Sequence, residues 1–169
     1  EATDNWARFQ QAGLTREAIV PIHAEAHELP YAASYFDAII CVDSYQYFGL
    51  DPEYLGKHLL PLVKPGGMLL FVVPGFVKDV HDDLPKELLL SWTPEALDTI
   101  HDCAYWKKVI GETKGIEVLS IAELEREHFD ECWQDWLEAD NEYAAGDRAA
   151  IEAGAGKYMN FVVIALRRL

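Results

Sequence analysis

The stretch LVKPGGMLLFVVPG, Leu62 to Gly75, sets a Lys64-Pro65-Gly66-Gly67 turn directly in front of an apolar run. Proline disfavours helix in the residue before it and glycine accepts positive φ, so this turn ends whatever helix precedes it. Met68 to Val73 then reads as a buried strand. Just upstream, Asp51-Pro52-Glu53 is a helix start: an N-cap acid, a proline where the missing N–H costs nothing, and a negative charge at the positive dipole end. That helix is expected to run to Val63. Further back, FDAIICV, Phe36 to Val42, is an apolar, β-branched run after one acid, the pattern of a strand covered on both faces and central in a sheet.

Working outward, Thr3 or Asp4 caps a first helix whose Trp6 and Phe9 share a face, with Gly13 as its left-handed terminator. A short strand is expected over Ala18 to Ala24. Thr93-Pro94-Glu95 repeats the capping signature and predicts a helix to Gly111, with Leu97, Ile100, Ala104 and Val109 facing inward. Glu117 to Ile121 reads as a strand. Residues 125 to 153 read as two helices broken near Asp140-Asn141, anchored by Trp133, Trp136 and Leu137, and Tyr158 to Leu166 closes the chain as a strand. No repeat or low-complexity segment interrupts this order. Strands alternating with helices predict an α/β fold, a mostly parallel sheet with helices on both faces, in which ligands sit beyond the carboxyl ends of the strands.

With 169 residues, half of them hydrophobic, the chain suits one domain. A net charge of -15 opposes phosphate-backbone binding, so no nucleic-acid partner is expected. Three cysteines, Cys41, Cys103 and Cys132, without CxxC spacing fit a reducing, cytoplasmic setting. The His and Cys spacing suggests no metal site. The opening residues form no basic and apolar leader, and the apolar runs fall far short of the roughly 20 residues a bilayer requires. No membrane segment is expected.

The segments IHAEAHELPYAASYFDAIICVDSYQYF and LLPLVKPGGMLLFVVPG, taken in order, resemble the class I S-adenosylmethionine-dependent methyltransferases, of the bacterial small-molecule type. The resemblance covers Trp6 to Gly75, and WQDWL and KYMNFVVIALRRL resemble a subgroup's helical insertion, residues 125 to 156, and last strand. It implies a Rossmann-like fold, S-adenosylmethionine as cofactor and a small-molecule methyl acceptor. By the same resemblance Glu25 matches the carboxylate that accepts from the adenine amino group, and the Ala26 N–H meets a ring nitrogen. An ordinary solvated loop acid is the competing assignment for Glu25. Val42 and Asp43 leave their strand beside the methionine part of the cofactor, where Asp43 either faces the sulfonium or ammonium or caps the following turn. KPGG serves as structural support for the strand beside the cleft. Many relatives carry a histidine one turn after Asp43; here Gln46 stands there, between Tyr45 and Tyr47.

Methyl transfer is an in-line displacement, and a general base is needed only for a protonated acceptor. Candidates for that base are Tyr47, His81 and His101, none with a partner visible in the sequence; surface or core-satisfied histidines are the competing assignment. Trp92, Trp106, Trp133 and Trp136 either wall a substrate pocket or fill the core.

The family's glycine-rich first loop and the acid ending its second strand have no counterpart here. In the family's strand order, 3-2-1-4-5-7-6, the two missing strands fall between Ala18–Ala24 and Phe36–Val42, and their loss exposes unpaired backbone. Three situations accommodate this: an N-terminally truncated chain, lacking about 70 residues or more on usual βαβ lengths; a partner chain, with a homo-oligomer built through the exposed strand edges; or a rearranged sheet. The functional alternative is a non-catalytic binding or assembly module that keeps part of the fold. No dinucleotide fingerprint and no G-x-S-x-G elbow supports an oxidoreductase or a hydrolase.

Overall fold

The computed structural model describes residues 2–139 and 141–169, with side chains from residue 5 onward. The chain forms two compact units, Glu1–Tyr31 and Ala32–Leu169.

In the first unit, α1 (Ala2–Gln11) half-buries Trp6 and Phe9 as their spacing predicts. Gly13, at φ 75°, ends it, and Leu14 N donates to the Phe9 carbonyl at 2.9 Å. The side chains of Thr3 and Asp4, expected to cap this helix, lie outside the described residues. The strand expected over Ala18–Ala24 is not formed: the segment is irregular and Val20 is 72 % exposed. A strand exists only where a neighbour takes its N–H and C=O groups, and no described strand pairs with this one. The rearranged sheet is therefore not what these residues adopt.

The second unit is built on a four-stranded sheet of β1 (Phe36–Val42), β2 (Val63–Phe76), β3 (Ile116–Glu123) and β4 (Met159–Arg168), in the order β1-β2-β4-β3. This order corresponds to the 4-5-7-6 part of the order that the resemblance implies. The β1/β2 pairing is parallel, whereas β4 runs antiparallel to both β2 and β3, so among the described strands parallel pairing is the minority. The chain's last strand inserts between two earlier ones and reverses direction to do so. One face is dry: Leu69, Phe71 and Val73 of β2 and Val162, Ile164 and Leu166 of β4 are fully buried. Their register sets Leu69 against Leu166, Phe71 against Ile164 and Val73 against Val162, so the β2 and β4 side chains share that face.

Contrary to the central position expected, β1 is the edge of the described sheet, and Ile40 and Val42 are 68 % and 62 % exposed. The helix expected from Asp51 to Val63 winds differently. Asp51 Oδ1 does accept from Glu53 N at 2.9 Å, but the chain then forms a π-helical turn over Leu55–Leu59 and a 3₁₀ turn over Leu60–Leu62. Pro61 has no N–H to give the carbonyl four residues back, so a regular α-helical ladder cannot run through it.

KPGG lies inside β2 as an irregularity in its pairing with β1, between the Phe36↔Val63 and Ala38↔Met68 pairs. Gly66 sits at φ 79°, and a Cβ on Gly67 would lie 2.6 Å from Val63 Cγ1 and 2.7 Å from the Asp37 carbonyl oxygen. Lys64 Nζ fastens the turn to Asp37 Oδ1 at 2.7 Å. The glycines are thus required by backbone conformation and by close approach to β1.

The helix expected from Thr93 to Gly111 is two helices, α2 (Pro94–Leu97) and α3 (Cys103–Gly111). Thr93 Oγ1 accepts from Ala96 N, and Asp102 Oδ1, a second cap, accepts from Tyr105 N and restarts the helix. Restarting changes the phase. Leu97 and Ile100 are buried as expected, but on α3 Trp106 and Ile110 point inward while Ala104 is exposed and Val109 half-buried. The two helices α4 (Arg126–Glu138) and α5 (Glu142–Glu152) stand where expected; Asn141 Oδ1 caps α5 from Tyr143 N at 2.8 Å, and Asp140 lies outside the described residues. Phe76, Leu88, Leu97, Ile100, Phe129, Ala150, Ala155 and Met159 form one core cluster that joins this pair to the ends of β2 and β4.

Candidate functional site

At the carboxyl end of β1 the chain turns sharply. Asp43 N donates to the Val72 carbonyl at 2.8 Å, so the turn is pinned to β2, and Asp43 takes φ 52°, a left-handed conformation that Asp tolerates better than most residues. Ser44 Oγ bonds the Val42 carbonyl and lies 3.1 Å from Cys41 Sγ. The Asp43 side chain reaches solvent, yet its carboxyl is partly desolvated against the strand end, which pushes its pKa up; a hydrogen bond from Gln46 opposes this. Gln46 itself is buried. Its Nε2 donates to Asp43 Oδ1 at 3.1 Å, while its Oε1 is buried with no hydrogen-bond partner among the described residues. Sequence reading marked Gln46 only as a departure from histidine; the structure makes it the residue that positions Asp43.

Tyr45 and Tyr47 are separated by this same short turn. Tyr45 is buried, stacked on Phe71 at 4.0 Å and packed against Trp106, and burial pushes its phenol pKa far upward. Tyr47, the candidate base, is 64 % exposed and points away from that core. Trp106 is core, not pocket wall.

In the first unit, Glu25 is exposed and Ala26 half-buried, in a turn where Glu28 N donates to the Glu25 carbonyl. The Glu25 carboxylate accepts from His27 N at 2.5 Å and lies 3.2 Å from His27 Nδ1. The His27 backbone bond, followed by its ring, holds the Glu25 pKa below the usual range. A carboxylate has about four lone-pair sites, so acceptor capacity remains for an exocyclic amine.

The other two candidate bases are brought together. His81 and His101, on segments separated by α2, have ring centroids 5.0 Å apart, and Asp79 joins them. Asp79 Oδ1 accepts from His81 N at 2.9 Å and lies 3.2 Å from His81 Nδ1, which keeps the Asp79 pKa low. Burial, then the neighbouring His81, lowers the His101 pKa, against the pull of Asp79 and Asp102. Phe76 N donates to the His101 carbonyl, which ties this cluster to the end of β2. The cluster was illegible in sequence because the break between α2 and α3 is what returns His101 to β2. These are residue types able to ligate a metal, although the His and Cys spacing in the sequence suggested no such set.

A separate cleft of about 410 Å³ opens on the α4 and α5 pair, floored by Phe129, Trp133, Leu137 and Ile151 with Arg126 and Arg148 beside it. None of the residues expected from sequence to serve cofactor or base lines it. Trp133 packs edge-on to Trp92 at 6.1 Å, so these two tryptophans brace α4.

Residues 2–71 match the family model of the methyltransferase domain. Solved structures match over the whole chain: a geranyl diphosphate methyltransferase in complex with SAM aligns with a TM-score of 0.68 and 14 % identity, covering 99 % of this chain and 64 % of that one. This is the Rossmann-like methyltransferase fold. A SAM-dependent methyltransferase from Geobacter sulfurreducens, in complex with S-adenosyl-L-homocysteine, shares the methyltransferase fold at TM-score 0.65 and 16 % identity, over 99 % of this chain and 71 % of its own. The [4+2]-cyclase SpnF shares it at TM-score 0.66 and 16 % identity, over 99 % and 62 %. No curated protein matches the sequence significantly. The chain thus spans less than two thirds of the length of the geranyl diphosphate methyltransferase and of SpnF. No described helix is long and apolar enough to cross a membrane.

Proposed function

We propose that this chain is the part of a class I methyltransferase that carries the adenine-side acid and the methionine-side strand end, and that the whole enzyme methylates a small-molecule acceptor. The observation that carries this is the end of β1, where a left-handed Asp43 is hydrogen-bonded by a buried Gln46 at the carboxyl end of a parallel strand. That is where open α/β sheets bind ligands.

The residues fit S-adenosylmethionine, which when bound supplies a methyl group activated on a sulfonium. Glu25 retains acceptor capacity for the adenine amine; the Ala26 N–H is turned to the Glu25 carboxylate itself, so it supports the acid rather than a ring nitrogen. One Asp43 oxygen is occupied by Gln46, which leaves the carboxylate able to face a cationic group while its direction stays fixed. Val42, at the strand end, is exposed enough to make apolar contact there. Tyr47 is the base candidate next to this turn, and it serves only if the acceptor carries a proton.

The acceptor belongs to the small molecules by analogy with the neighbours, one of which is named for geranyl diphosphate; the strong negative charge argues against nucleic acid. The three cysteines stand as free thiols, which supports a reducing compartment such as the cytoplasm. A second reading, a binding or assembly module, draws on the open edge of β1 with Ile40 and Val42 exposed, a surface through which two copies would pair. That one relative of this fold is a cyclase also shows that the fold does not dictate the chemistry.

Calorimetric titration of the chain with S-adenosylhomocysteine tests the first reading. Saturable one-site binding that Asp43→Asn and Glu25→Gln each weaken about tenfold is expected, each variant losing a charge-assisted hydrogen bond. A folded chain that binds nothing overturns the assignment of Glu25, Val42 and Asp43 to the cofactor. Sedimentation showing a dimer that Ile40→Lys dissociates favours the second.

A further inference from the structure

We propose that Asp79, His81 and His101 form a three-ligand site for a borderline divalent transition-metal cation, Zn²⁺ foremost, at the carboxyl end of β2. This stands on the local geometry and does not depend on the methyltransferase reading. One ligand atom from each residue lies within 4.8 Å of the others. Around a tetrahedral ion with bonds of about 2.0–2.1 Å, ligand atoms sit about 3.3–3.4 Å apart. The Asp79 Oδ1 to His81 Nδ1 separation, 3.2 Å, already meets that spacing.

The protons on the His81 ring make the case more specific. Its Nε2 lies 3.1 Å from the Leu97 carbonyl oxygen, which accepts only, so Nε2 carries the proton. In the neutral ring Nδ1 is then a bare lone pair, and it faces Asp79 Oδ1, another acceptor. Two acceptors at this distance need a positive charge, supplied either by a second ring proton or by a cation bound to both. An imidazole whose far N–H is held by a backbone carbonyl is also the arrangement that fixes the tautomer and direction of a ligating histidine.

His101 is prepared independently. Its Nδ1 is buried with no hydrogen-bond partner among the described residues, and its ring is stacked on Tyr105 at 3.6 Å and 12°. Its carbonyl accepts from Phe76 N, and a Cβ on Gly75 would come within 3.0 Å of that oxygen, so the approach of His101 to β2 depends on a glycine there. Two imidazoles and one carboxylate suit Zn²⁺ and its first-row neighbours rather than Mg²⁺ or Ca²⁺, which prefer all-oxygen sets. Three protein ligands leave a position open, and because Asp79 is exposed that position is accessible to water or to an oxygen or nitrogen donor.

The test is calorimetric titration of the chelator-treated full chain with Zn²⁺, and separately with Mg²⁺, alongside Asp79→Asn, His101→Gln and, as control, His128→Ala, an exposed histidine beside Glu125 and Glu131. One equivalent of Zn²⁺ is expected to bind, with each of the first two variants weakening it at least tenfold, the control unchanged and Mg²⁺ not bound. Far-UV circular dichroism checks each fold; Asp79 is exposed, so Asp79→Asn decides the matter even if His101→Gln does not fold. Co²⁺ used in place of Zn²⁺ is expected to show no thiolate charge-transfer band. A folded chain without saturable Zn²⁺ binding, Zn²⁺ binding indifferent to Asp79→Asn, preference for Mg²⁺, or a thiolate band assigning the ion to a cysteine each overturns the proposal.

Discussion

β1 and β2 are similar runs of apolar residues, pair in parallel, and end at neighbouring turns, yet one is dry and the other open. Leu69, Phe71 and Val73 are completely buried on β2, while Ile40 and Val42 on β1 are mostly exposed. The difference is in their neighbours. β2 lies between β1 and β4 and has Tyr45 stacked on Phe71, whereas β1 has a pairing strand on one side only among the described residues. An apolar run states that a strand is able to be buried; the elements around it decide whether it is.

The largest effect that tests this contrast is Phe71→Ala. Removing a fully buried ring stacked on Tyr45 is expected to cost about 3–5 kcal/mol, read as a lower midpoint in urea unfolding. A loss below about 1 kcal/mol would mean that β2 is not the organising strand. Gly67→Ala is expected to cost about 1–3 kcal/mol, because its methyl group meets the Asp37 carbonyl and Val63 and the junction between the two strands must shift. Unchanged stability there would show that the irregular pairing between β1 and β2 is loose.

Asp43→Asn probes the turn between the strands. Burial raises the folded-state pKa of Asp43, so as pH rises from the ordinary aspartate value the unfolded state loses its proton first, and stability falls until the folded-state group has ionised too. The asparagine variant lacks this cost and tolerates the left-handed backbone equally well. It is therefore expected to be the more stable protein at neutral pH and to approach the parent as pH falls, in thermal melts across that range. Parallel curves, or a variant less stable at neutral pH, would count against the desolvated carboxylate. The smallest effect belongs to Ile40→Ser on open β1, within about 0.5 kcal/mol. A loss of 2 kcal/mol or more, of the order found on emptying a core site, would show that in solution something covers this strand.

Much of the local structure was legible in the sequence. Thr93 caps a helix, the break between α4 and α5 falls at Asn141, Gly13 terminates a helix, Gly66 takes positive φ, and the apolar runs from Phe36, Met68 and Tyr158 are strands. The candidate site was legible in part. Asp43 was found because it ends a strand, and His81 and His101 were found as separate side chains. Gln46 was passed over as a missing histidine, and Asp79 went unnoticed, because nothing about either residue type shows which partner it will meet.

The sequence by itself determined what depends on a few consecutive residues: caps, terminators, the glycines of the KPGG turn and the presence of three apolar strands, all set by backbone dihedral preferences and nearby hydrogen bonds. Tertiary structure alone decided what depends on partners distant in the chain. It seated the last strand antiparallel between β2 and β3, left Ala18–Ala24 without a pairing strand, opened β1 to solvent and carried His101 back to His81. Pairing and burial are properties of two segments together, and one segment's composition holds only half of that information.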